Sequence, residues 1–170
     1  MFDAIGNLPL HPLVLHAAVI GIPLAFLLAV LFAVPRTRAW ARWPLGLTAV
    51  GAMAATVVSK ASGQALAGVV VQPDTPIAPL IARHSQLADQ LVIIMAGFTV
   101  LALVNVFVVR RRDANRAGGP AKRGVLGVVL PVLLVLVGAV AVFWVYQVGD
   151  IGSRAVWNPT GTVDYSSPGR

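Results

Sequence analysis

At 170 residues, with 58% hydrophobic and 11% charged, the chain is of single-domain length and too apolar for an ordinary water-soluble globule. It has no cysteine, which excludes disulfides, thiolate metal sites and cysteine nucleophiles. A net charge of +7 would suit nucleic acid in a soluble protein, but the basic residues flank apolar runs, so the partner expected is the lipid bilayer and not nucleic acid.

Residues 1–12 lack the positive n-region of a signal peptide, so the first helix is expected to be retained. The first apolar run spans 13–34, long enough at about 1.5 Å per residue for a hydrocarbon core of about 30 Å. Either Asn7 or the His11-Pro12 pair starts the helix, since proline in the first turn gives up only an orphan N–H. Pro23 predicts a kink, and Pro35-Arg36-Thr37-Arg38 ends the run.

The second run spans 44–67, with Trp40 and Trp43 placed for a headgroup-level aromatic belt. Gly46, Gly51, Ala52, Ala55, Ser59 and Gly63 make it a small-residue helix. The pairs Gly51/Ala55 and Ser59/Gly63 predict close helix approach and a central place. Lys60 and Gln64 share a face near its end. Segment 68–82 carries Pro73, Pro76 and Pro79 and reads as an irregular loop.

The third run spans 83–109, with His84, Ser85, Gln86, Asp89 and Gln90 in its first two turns. It closes on Arg110-Arg111-Arg112, and a Gly118-Gly119-Pro120 turn follows. The fourth run spans 124–148, with Pro131 inside it and Trp144 and Tyr146 near its end. The polar tail 149–170 is expected to be loosely ordered. No internal sequence repeat is visible, so inverted-repeat transport has no foothold.

Nine of the thirteen Lys and Arg residues lie in the loops after the first and third runs. The positive-inside rule puts those loops in the cytoplasm. The expected fold is therefore an all-α integral membrane four-helix bundle in a bacterial inner (cytoplasmic) membrane. Both termini lie on the extracytoplasmic side, N-out and C-out.

With that topology His11, His16, Lys60, Gln64, His84, Asp89 and Asp150 gather at the outer face. Ionisable groups at lipid depth are costly, so they should face the bundle interior and pair. Lys60 and Asp89, at similar depth on adjacent antiparallel helices, form the expected ion pair, read as a clamp on helix register ahead of a proton relay. The histidines are read first as a cofactor-free network that ties the helix ends together. The alternative is a single b-type haem ligated by His16 and His84, as an electron-transfer protein would need. A His-only metal site of His11, His16 and His84 counts better but needs His11 to turn inward. Ser59, Ser62 and Ser85 lie near histidines, yet there is no Gly-x-Ser-x-Gly or HExxH motif and no glutamate. No catalytic constellation is expected, and a proton-coupled carrier is the remaining class.

The stretch Leu10-His11-Pro12-Leu13-Val14-Leu15-His16 has a counterpart in a known family. So do Ser62-Gly63, His84 with Leu87-Ala88, and Gly149-Asp150-Ile151-Gly152. From Leu8 to Val156 the chain resembles the domain-of-unknown-function family numbered 2231, and His-Pro-x-x-x-His is the most specific part. The resemblance implies a four-helix membrane domain without assigned activity, sometimes found beside redox modules such as Rieske domains. In that pattern the position of Asp150 is often histidine, before a Gly-x-Gly-Gly style turn. Aspartate here, and Ser153 in place of a glycine, lend that position no ligand role. The functional expectation is a non-catalytic membrane subunit or binding module with a polar outer-leaflet site built by the first three helices. Its partners would be a membrane protein, a respiratory or redox complex, or a second copy of the chain.

Overall fold

The computed structural model describes residues 4–5, 8–72, 74–114 and 125–164. A two-residue antiparallel pair, β1 (Ala4–Ile5) with β2 (Leu8–Pro9), precedes four helices. These are α1 (Leu10–Ala33), α2 (Arg38–Val70), α3 (Ile77–Ala114) and α4 (Leu126–Trp157). All four are long and apolar enough to cross a membrane. Asn7, Pro73, the Gly118-Gly119-Pro120 turn with Arg116, Lys122 and Arg123, and the tail beyond Asp164 lie outside the described residues.

Every helix is longer than its apolar run. The third helix begins at Ile77, six residues before the expected start, so Pro79 sits in its first turn and the loop shrinks to 71–76. A proline there loses only an N–H that has no intrahelical partner. The fourth helix continues through residues 149–157, where an ordered helix replaces the expected loose tail. An Asp150–Arg154 pair at i, i+4 and the buried Ala155 hold that extension. At the other end Arg38 closes α1: its Nε donates to Phe32 O at 2.9 Å and Nη2 to Ala33 O at 3.1 Å. Its guanidinium also lies 5.4 Å from the Phe32 ring centre. One cation thus satisfies two C-terminal carbonyls that the helix leaves open.

The helices run up, down, up and down around a ring. Neighbours are α1 with α2, α2 with α3, α3 with α4 and α4 with α1, so α1 and α3 are diagonal, as are α2 and α4. In α1 the small Ala18, Ala25 and Ala29 are buried together with Ile22 and Phe32, while Ile20 on its other side is 65% exposed. That distribution suits a bilayer, where close backbone approach replaces the hydrophobic drive. Gly138 of α4 is the tightest central contact, with Phe26 of α1 and Phe98 of α3 against its backbone. The expected Gly51/Ala55 pair does not work this way. Gly51 faces outward with open space around it, and α2 is one corner of the ring like the others.

The sequence shows no repeat, but the structure does. In α1 the positions 7, 11, 14 and 18 after His11 are the buried Ala18, Ile22, Ala25 and Ala29. In α3 the same steps from His84 give the buried Leu91, Met95, Phe98 and Ala102. Counting back 7, 11, 14 and 18 from Gly63 in α2 gives the buried Thr56, Ala52, Ala49 and Leu45. The same count from Gly152 in α4 gives Val145, Ala141, Gly138 and Leu134, also buried. Two helical hairpins of one register therefore pack around an approximate two-fold along the bundle axis. The side chains differ in identity but not in place, which is why the repeat is invisible as sequence.

Candidate functional site

The site lies where α1 and α3 begin and α2 and α4 end. His11 opens α1 and packs on α2, with its Nδ1 2.7 Å from Ser59 O. A carbonyl can only accept, so Nδ1 carries the hydrogen and donates it. The ring rests on Gly63, where an added Cβ would stand 2.9 Å from its Cε1 and Nδ1. His84, about two turns into α3, is held in the same way. Its Nδ1–H donates to Val148 O at 3.0 Å, and its Cε1 would lie 3.0 Å from a Cβ on Gly152.

The glycines explain how a helix carbonyl becomes available. In each lock the accepting carbonyl belongs to the residue four before the glycine, Ser59 before Gly63 and Val148 before Gly152. Such a carbonyl already accepts the glycine's own N–H within the helix, but oxygen has a second lone pair. A side chain on a helix covers the turn N-terminal to its Cα, so a missing Cβ uncovers this carbonyl. Only glycine lets the imidazole close on it.

The two imidazoles then meet. Their centres are 6.3 Å apart with ring planes at 88°. His11 leans on α2 and His84 on α4, which are diagonal corners, so the pair spans the bundle axis. In an imidazole the two nitrogens point nearly opposite ways. Each Nε2 therefore lies on the side of its ring away from the carbonyl that Nδ1 holds, and carries the free lone pair. From His11 to Ala33 α1 runs about 33 Å at 1.5 Å per residue, so the pair stands at the edge of a hydrocarbon core of about 30 Å.

Other groups form the surroundings. Lys60 and Asp89 are joined across the α2–α3 seam, as the sequence suggests, with side chains 28% and 51% exposed. Trp144 Nε1–H donates to Gln90 Oε1 at 3.0 Å across the α3–α4 seam. Buried Ser62 gives its hydroxyl to Val58 O at 2.8 Å. Farther down the bundle Thr99 bonds Ala49 O across the α2–α3 seam, and Asn105 bonds Leu130 O across the α3–α4 seam.

Of the residues singled out from sequence, the structure brings together His11 with His84 and Lys60 with Asp89. His16 is not part of the ring pair: it is exposed, and its Nδ1 bonds Pro12 O of its own helix at 2.6 Å. Gln64 is exposed, and Asp150 pairs with Arg154. Among the described residues no three His, Asp or Glu side chains are grouped to hold a metal, so the trio of histidines does not assemble. Sequence reasoning missed the contribution of α4, through Val148 and Gly152. The signal was present: Gly152 stands to its buried residues as Gly63 stands to those of α2.

No curated protein and no solved structure matches the chain. One family profile does, across residues 7–164. With four apolar spans and a match over nearly its whole length, the chain belongs to the DUF2231 family of predicted membrane proteins.

Proposed function

We propose that the protein is a non-catalytic multi-pass subunit or binding module of a bacterial inner membrane, oriented N-out and C-out, with its site at the outer end of the bundle. The observation that carries this reading is the pair of histidine locks, which bring two imidazoles together between the hairpins and fix the tautomer of each. Such preorganisation holds a ligand rather than moving one. The orientation rests on the nine-to-four split of basic residues. The likeness to a family found beside redox modules favours a redox complex as the assembly joined.

Cysteine labelling tests the reading. With a membrane-impermeant thiol reagent on intact cells, Thr75→Cys and Thr160→Cys should label and Ala117→Cys should not. Labelling at Ala117 alone would turn the protein over and put the site in the cytoplasmic leaflet.

A further inference from the structure

We infer that His11 and His84 are trans ligands, through Nε2, of a metal centre that draws no other ligand from the protein. The inference rests on the binding-site reading above and names the class of ligand.

Three observations lead to it. The first is the tautomer. A metal-ligating imidazole characteristically donates its other N–H to a carbonyl, which orients the ring and makes the ligating nitrogen more basic. Here both rings do so, through Ser59 O and Val148 O. The second is spacing. Two nitrogens each about 2.0 Å from a shared metal, with each ring centre roughly 1.1 Å behind its nitrogen, put the centres about 6.2 Å apart. The observed separation is 6.3 Å. The ring planes, 88° apart, meet no obstacle, because rotation about a nitrogen–metal–nitrogen line is free. The third is the donor count. No third carboxylate or imidazole joins the pair among the described residues, and Asp89 and Asp150 are both engaged by cations.

That count excludes the four-ligand protein site that zinc takes. Two metal chemistries accept two trans imidazoles and ask nothing more of the protein. One is iron that brings its own four equatorial nitrogens, as in haem. The other is a two-coordinate cuprous ion, for which imidazole is a suitable ligand. The shared chemistry is a bis-imidazole metal centre on the two-fold axis of the bundle, half of it supplied by each hairpin.

The test uses the full chain in detergent micelles and two probes: ferric haem b, and cuprous ion delivered from its bicinchoninate complex. Uptake of one equivalent of either probe is expected, and the probe that binds identifies the source. In the haem arm the spectrum should be six-coordinate and low-spin, sharpening on reduction with dithionite. His11→Ala and His84→Ala should each abolish that signature, or the cuprous transfer, while His16→Ala leaves it intact. Gly63→Val, which pushes His11 off its carbonyl, should weaken binding about 10–100-fold. A His84→Gly chain that elutes as the parent does should regain binding when free imidazole is added. Three results would overturn the inference: neither probe bound at one equivalent, binding kept in both single-histidine variants, or no rescue by imidazole. A reversed topology would move the centre to the other leaflet and leave these titrations unchanged. Failure of the titrations would leave the topology standing.

Discussion

Gly63 on α2 and Gly152 on α4 stand in the same relation to a histidine, each four residues past the carbonyl that the imidazole meets. Neither glycine is a turn or a hinge. Each is a gap cut into a helix so that a ring can reach backbone. Alanine at either position places Cβ against a ring held on its far side by the other histidine. Gly63→Ala and Gly152→Ala should each cost about 1–3 kcal/mol, through overpacking and a lost hydrogen bond. Gly51→Ala, into open space, should gain up to about 1 kcal/mol from helix propensity. Thermal unfolding in one detergent compares all three, and equal effects at Gly51 and Gly63 would contradict the lock.

The imidazoles should be energetically coupled. Losses for His11→Ala and His84→Ala should miss additivity by about 0.5–3 kcal/mol, because the second removal acts on a site the first has already opened. His16→Ala combined with His84→Ala should add to within about 0.5 kcal/mol. A double-mutant cycle on urea midpoints reads both, and coupling of His16 to His84 would refute the placement of these rings.

Lys60 and Asp89 form the pair expected from sequence, but their exposure changes its weight. A pair buried at lipid depth would cost about 3–5 kcal/mol to break on one side. Half-exposed at the rim, it should show a coupling of about 0.5–1 kcal/mol between Lys60→Met and Asp89→Leu, falling as salt rises. A salt-independent coupling several times larger would mean that the seam is sealed from water.

At mid-membrane, Gly138→Ala meets rigid groups: Cβ would lie 2.9 Å from Phe26 Cδ2 and 3.0 Å from Phe98 Cε2. Two aromatic rings from diagonal helices cannot both retreat, so a loss of about 1–3 kcal/mol is expected. Pairing the change with Phe26→Leu should recover part of it. No recovery in thermal unfolding would show that the strain lies elsewhere.

The four spans were legible because hydrocarbon demands long apolar helices, and each run announces one. Their ends were not. Residues 77–82 read as loop because of Pro79, which the first turn of α3 accommodates, and residues 149–157 because of their glycines and charges, until Asp150–Arg154 and the packing of Ala155 make them helix. The site was half legible. His84 and the Lys60–Asp89 pair were found from depth along the helix, but the choice between His11 and His16 is one of rotation. The alanines at 18, 25 and 29 lie under His11, whereas the lipid-facing Leu13, Ile20, Leu24 and Leu27 share the His16 side. In a membrane the small residues mark the inside, so the bulkier stripe misleads an eye trained on water-soluble helices.

Because one imidazole belongs to each hairpin, neither half of the chain owns the site. A polypeptide divided in the segment 71–76 would leave His11 with Gly63 on one fragment and His84 with Gly152 on the other. Whatever rests on the axis is then a reporter of reunion, present only where two separately inserted hairpins have found each other in the bilayer.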